Sequence, residues 1–136
     1  MNNTRFATIV HILTLLAKAP EQWLSSDWMA ASIQINPVIV RKELLELQDQ
    51  GWVQSRKGKE GGYKLQVNSN EISLAAIYMT VKKTDVLGKK NQNPNPKCPI
   101  GKSFNQELEH LFVEIDATLL EVLENRTLAS FAQKFI

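Results

Sequence analysis

A chain of 136 residues that is 43% hydrophobic carries enough apolar side chains for a core, so it does not read as a disordered segment. Sixteen Lys/Arg against fourteen Asp/Glu leave a net charge of +2, too small to argue a polyanionic partner by itself. One cysteine, Cys98, excludes an intramolecular disulfide and any multi-cysteine metal site within one chain, and no apolar run reaches membrane-spanning length.

The charge is unevenly placed. Residues 1–67 hold eight Lys/Arg and six Asp/Glu, 68–102 hold six and two, and 103–136 hold two and six. A basic body with an acidic last segment suggests different partners at the two ends. The N-terminus lacks the basic-apolar-small pattern of a signal peptide, so a soluble, cytoplasmic protein without a membrane partner is expected. No internal repeat is visible.

The first helix is expected from about Thr4 to Lys18, because Phe6, Ile9, Val10, Leu13, Leu16 and Ala17 recur at three- and four-residue spacing. Pro20 lies just past its end. His11 has no partner at ligand spacing and reads as structural or exposed. Ser25-Ser26-Asp27 supplies cap chemistry for a short second helix over Trp28 to Ile33. Asn36 and Pro37 open a third helix that runs to Gln50, with Gly51 as its stop. On this helix Val40, Leu44 and Leu47 turn inward. Val38, Ile39, Lys42 and Glu46 turn outward, with Arg41 on the flank. Outward aliphatics can meet thymine methyls, and Lys42 or Arg41 can meet guanine or phosphate. Equally, Val38 and Ile39 can pack beneath the first helix or the hairpin that follows.

That hairpin joins Trp52–Ser55 to Tyr63–Val67 through Arg56-Lys57-Gly58-Lys59-Glu60-Gly61-Gly62. Its glycines permit a tight turn, and Arg56, Lys57 and Lys59 concentrate positive charge at the tip. Alone it would be a solvated surface turn. Behind two helices joined by a tight turn it becomes the wing of a winged helix-turn-helix, with one helix for the major groove and a basic tip for flanking DNA.

A fourth helix is expected after Asn70 or Ser73, running to Val81, with Leu74, Ile77, Tyr78 and Val81 on one face. Residues 84–102 hold three prolines and many asparagines and read as a loop around Cys98. The longest helix is placed at Ser103 to Asn125. Phe104, Leu108, Leu111, Ile115, Leu119 and Val122 form a near-heptad seam on it, widened by Phe112 and Leu123. Such a seam favours a homodimer, against the alternative of folding back on its own domain or doing both. Thr127 caps a last short helix with Leu128, Phe131 and Phe135 on one side. The fold class expected is mainly α with a small β-hairpin wing. Its DNA-binding domain spans 1–83, the cysteine loop 84–102, and the dimerisation helix with its short tail 103–136.

With these residues in place, the chain resembles the Rrf-two family of bacterial winged-helix transcription regulators over nearly its whole length. The resemblance rests on Pro37-Val38-Ile39-Val40-Arg41-Lys42, on Gly51, Val53, Ser55-Arg56, Gly58, Gly61-Gly62-Tyr63 and Leu65 of the wing, and on Glu71-Ile72-Ser73-Leu74. The loop Asn93-Pro94-Asn95-Pro96-Lys97-Cys98-Pro99-Ile100-Gly101-Lys102 is similar to the YwnA-like branch. The resemblance implies a homodimer, usually a repressor, that binds operator DNA. It places Asn36, Val38, Arg41 and Lys42 at the major groove, Arg56, Lys57, Gly58 and Lys59 at the wing contact, and Ser25 and Ser26 near phosphate. Many members hold an iron–sulfur cluster on three loop cysteines. Here only Cys98 remains, and one thiolate cannot supply the ligands a cluster needs, so no cofactor is expected. Cys98 is left as a redox-sensing thiol favoured by Lys97 and Lys102, a cross-dimer disulfide partner, or a packed remnant.

Other function classes have less behind them. No glycine-rich phosphate loop follows a strand, no histidine pair has metal spacing, and no nucleophile has an evident base, so catalysis is not expected. His110 beside Glu107, Glu109 and Glu114 reads as a solvated acidic face before it reads as a metal or pH site. A winged domain can also serve as a protein-interaction module. Three cations on one wing argue against that use. A regulator controlled by a partner protein or an unknown small effector would have its pocket between the Cys98 loop, the helix from Ser73 and the long-helix seam.

Overall fold

The computed structural model describes residues 3–136. Helix α1 (Arg5–Lys18) is the centre of the core, with Ile9, Ile12, Leu13 and Leu16 fully buried along one stripe. Helices α2 (Ser26–Ile33) and α3 (Pro37–Asp49) pack on it and on each other. The Ser25 hydroxyl caps α2 by accepting the Trp28 N–H at 3.0 Å. The helix stops at Gln34, which takes a left-handed φ of +63° and returns its N–H to Ala30. Asn36 then caps α3 by accepting the Val38 N–H at 2.8 Å, with Pro37 in the first turn. Val40, Leu44 and Leu47 point inward with no exposure, as the spacing predicts.

Strands β1 (Val53–Arg56) and β2 (Gly62–Leu65) pair antiparallel, with Val53 opposite Leu65 and Arg56 opposite Gly62. Leu24 adds a one-residue third strand: its N–H donates to Tyr63 O at 3.0 Å and its carbonyl accepts from Tyr63 N at 2.8 Å. This approach requires Gly62, whose φ is +144° and where a Cβ would lie 2.6 Å from Leu24 O. The wing is thereby bonded to the segment just before α2.

A 3-10 turn at Ser69–Glu71, closed by a capping box between Asn68 and Glu71, leads into α4 (Leu74–Val81). Of the two caps expected for α4, Ser73 takes the role by accepting the Ala76 N–H, and Asn70 sits in the turn before it. Helix α5 (Pro99–Glu124) runs 26 residues, and α6 (Leu128–Ala132) closes the chain. Backbone bonds from Leu74 N to Arg126 O and from Leu128 N to Ile72 O fasten that end to the start of α4.

Helix α5 begins four residues before the expected Ser103. Pro99 and Gly101 read locally as breakers, but proline costs nothing in a first helical turn. Gly101 is there because a Cβ would stand 2.6 Å from the Asn95 carbonyl. Only Phe112 and Asp116 of α5 are buried. They belong to an inner row with Asn105 and Glu109: Asn105 Nδ2 donates to Asn91 O, Glu109 pairs with Lys90, and Asp116 accepts from Val86 N and pairs with Lys82. Phe104, Leu108, Leu111 and Ile115 each precede one of these residues and form a second, open row. Phe104 is 47% exposed and Leu111 45%.

Candidate nucleic-acid interface

The outward face of α3 carries Val38 at 61% exposure, Ile39 at 47%, and exposed Arg41, Lys42 and Glu46. The two aliphatics therefore pack under neither α1 nor the wing. The same face holds Leu45, 64% exposed, which the residue spacing had not singled out. Isolated apolar side chains on a charged helix face suit methyl and sugar surfaces better than water.

Among the described residues Lys42 has no ion-pair partner, whereas Arg41 is steered. Its Nη1 lies 3.7 Å from Asp27 Oδ1 and donates to Ser26 Oγ at 3.3 Å, both at the start of α2. Ser26 is buried under this contact, so its hydroxyl serves Arg41. Ser25 and Asn36 are exposed, and each uses its side-chain oxygen to cap a helix. The buried face of α3 holds one charge, Glu43, gripped by Arg5 through two bonds of 2.9 Å. Gln48 Nε2 donates to Ser55 Oγ at 3.0 Å and ties α3 to the wing.

All of Arg56, Lys57, Gly58 and Lys59 are exposed at the wing tip. Gly58 has φ +103°, and the turn closes by Gly61 N–H to Gly58 O. The Arg56 guanidinium donates to the Glu60 carbonyl and lies 4.6 Å from the Trp23 ring centroid, with Lys64 Nζ at 5.1 Å from the same ring. Trp23 and Lys64 were not among the residues the sequence nominated. Nothing local marks a contact that the Leu24–Tyr63 bridge creates. The helix α3 face and the basic tip are thus joined through α2 and the Gln48–Ser55 bond.

Away from this surface, Cys98 is exposed at the N-cap of α5. The N–H groups of Gly101 and, next, Ile100 bond its sulfur and hold the thiol's pKa below its ordinary value. His11 Nε2 lies 3.1 Å from Ser32 Oγ, a structural contact, and His110 is exposed beside Glu107. A polar hollow of about 350 Å³ is lined by Lys83, Asp85, Lys90 and Phe112, with no lining residue from α4 or from the segment around Cys98, so it does not match the effector pocket expected between them. The strongly apolar groove is elsewhere: about 580 Å³ between α1 and the chain end, lined by Phe6, Val10, Thr14, Leu74, Phe131 and Phe135. Among the described residues, no helix is long and apolar enough to cross a membrane.

Residues 2–134 match the family model described as "Rrf2: Iron-dependent Transcriptional regulator". YwnA of Bacillus subtilis strain 168, named as an HTH-type transcriptional regulator, is 34% identical over 94% of this chain and 94% of its own. A solved structure described as a DNA-binding protein is 30% identical, with a TM-score of 0.74, covering 93% of this chain and 97% of that one. CymR, the global cysteine regulator of B. subtilis, shares the fold at a TM-score of 0.75 and 21% identity, over 100% of this chain and 98% of CymR. The family description names iron, and the residues present do not fit it. Cys98 offers the chain's one sulfur ligand of that kind, and no group of three or more His, Cys, Asp or Glu comes together among the described residues.

Proposed function

Because the chain belongs to the Rrf2 family of transcriptional regulators, we propose that it binds an operator in double-stranded DNA as a homodimer in the cytoplasm and represses transcription there. It is a transcription regulator and not an enzyme. One observation carries the DNA reading: the exposed face of α3 and the basic wing tip are bonded into one rigid head through Gln48–Ser55 and Leu24–Tyr63.

In this reading Asn36, Val38, Arg41 and Lys42 enter the major groove, joined by Leu45. Val38 and Leu45 meet thymine methyls, Lys42 meets guanine or phosphate, and Arg41 is presented at an angle set by Asp27 and Ser26. Arg56, Lys57, Gly58 and Lys59 meet the flanking backbone and minor groove, and Ser25 lies near phosphate.

The open row of α5 supports the homodimer. Phe104, Leu108, Leu111, Ile115, Leu119 and Val122 form an exposed or half-exposed stripe that the described residues do not cover. The concave apolar groove beside α1 is of a kind that a second copy's convex stripe can fill. Two paired heads read two half-sites, which is how small readers gain specificity. Regulation proceeds without an iron–sulfur cluster, with Cys98 as the redox-responsive group.

Fluorescence anisotropy of the reduced protein on DNA from immediately upstream of its own gene, against a scrambled duplex at two salt concentrations, tests the reading. Tight binding that prefers the native duplex and weakens with salt is expected. Equal weak binding to both duplexes would overturn it for that sequence.

A further inference from the structure

The cleft between the start of α2 and the wing holds two tryptophans, Trp23 and Trp28, that have no role in the contacts assigned above. It encloses about 590 Å³, with Trp23, Ser25 and Trp28 on one wall and Lys59, Glu60 and Gly61 on the other. Neither tryptophan belongs to the hydrophobic core, and Trp28 is 53% exposed. Two large aromatic rings held outside a core, beside cations, are the makings of a contact surface. Arg56 and Lys64 both lie against the Trp23 ring. Arg56 gives one donor to the Glu60 carbonyl, and its other N–H groups have no hydrogen-bond partner among the described residues. Glu60 is the one acid among the lining residues, and Asp27 beside Trp28 is already turned toward Arg41.

The position of the cleft says what fills it. In a duplex, one sugar–phosphate strand separates the major groove from the adjacent minor groove. A head that puts α3 into the first and its wing at the second must let that strand pass between them. On this chain the intervening space is the cleft, whose α2 wall joins α3 through Arg41 and Ser26 and whose other wall is the wing tip. Resting on the operator reading, we infer that the cleft seats this strand. Trp23 and Trp28 pack against deoxyribose. Lys59, Arg56, the Ser25 O–H and the indole N–H groups take phosphate oxygens. The Ser25 oxygen accepts the Trp28 N–H, which leaves its proton available to donate.

The test uses the full chain and the upstream duplex in two parallel readings. Trp52→Phe leaves Trp23 and Trp28 as the reporting fluorophores. Labelled-duplex anisotropy reports binding, and tryptophan emission reports contact in the cleft. The two signals are expected to change at the same DNA concentration. Trp28→Ala, with unchanged circular dichroism, is expected to raise Kd about ten-fold with an unaltered salt slope. Lys59→Gln is expected to reduce the slope of log K against log salt by about 0.9. Rising anisotropy with unmoved emission, and Trp28→Ala binding like wild type, would overturn the cleft's role while leaving the regulator reading intact. That outcome would point to a protein partner for the tryptophans. No anisotropy change on any duplex would overturn the operator reading and this one with it.

Discussion

Arg5 and Glu43 form a two-bond clamp, Nε to Oε2 and Nη2 to Oε1 at 2.9 Å each, between the first turn of α1 and the middle of α3. Glu43 is 3% exposed and lies on the buried side of α3 with Val40, Leu44 and Leu47. The clamp raises the Arg5 pKa through the bond to Glu43, so Arg5 stays charged at any ordinary pH. Removing one partner leaves the other charge without compensation. Arg5→Ala is expected to lower stability by about 2–3 kcal/mol, less than the ~3–5 of a wholly enclosed pair because Arg5 is partly solvated. Arg5→Ala with Glu43→Leu should recover most of the loss. Urea unfolding of the four proteins measures this, and a double variant no better than Arg5→Ala would refute the clamp.

The wing arginine offers a cleaner functional cut. Arg56 is exposed and outside the core, so Arg56→Ala should unfold at the wild-type denaturant midpoint. Operator affinity should fall by about 1–3 kcal/mol. Unchanged affinity at moderate salt would remove Arg56 from the DNA contact.

Leu111 tests the homodimer. At 45% exposure, Leu111→Glu costs a lone chain almost nothing, since surface substitutions away from packing are nearly neutral. In a paired seam the same change buries a carboxylate against its own copy. Sedimentation should therefore show a mass near 15.4 kDa for the variant and twice that for wild type, with equal helix content. Wild type sedimenting at the smaller mass would exclude the pairing.

Cys98 yields a pH prediction. Its folded-state pKa is depressed by the Gly101 and Ile100 N–H groups, so the thiolate persists to a lower pH than in the unfolded chain. Alkylation of the native protein should show a midpoint below the ~8.5 of a free cysteine. Linkage gives the sign for stability: the contribution is present above the unfolded pKa and is lost as pH falls through the folded one. Cys98→Ser should make DNA binding indifferent to mild oxidant. Equal oxidant sensitivity in both proteins would relieve Cys98 of any sensing role.

Gly62→Ala should damage the wing locally. The added methyl would meet Leu24 O at 2.6 Å with φ already at +144°, a strain of about 1–3 kcal/mol. Loss of the Leu24–Tyr63 bridge would free the wing from α2. Amide exchange at Tyr63 and Leu24 is expected to quicken before global stability falls much.

What the sequence disclosed was whatever repeats at short range. The 4-and-3 spacing of Val40, Leu44 and Leu47 fixed the buried face of α3, and Asn36 and Thr127 marked helix starts where the caps stand. The Ser25-Ser26-Asp27 run marked α2, which begins at Ser26 and not at the expected Trp28. Contacts across distance had no such signature. Glu43 and Glu46 look alike in the chain, and only an arginine 38 residues earlier makes one of them a core residue. Trp23 reads as an ordinary loop apolar residue until the Leu24–Tyr63 bridge brings the wing beneath it. The first turn of α5 was hidden because proline and glycine signal a break everywhere except in the place they occupy here.

The rows of α5 differ by a single step, with 104, 108, 111 and 115 open and 105, 109, 112 and 116 turned home. Deleting one codon ahead of Pro99 would be absorbed by the loop, but deleting one within the rows would rotate everything beyond it by about 100°. Inner residues beyond the deletion would then move into the open row, presenting Asp116 to the outside and setting Ala117 in its place against Lys82. Seven added residues would turn the helix by only about 20° and lengthen it harmlessly. Length in this helix is therefore free to vary by heptads and by little else.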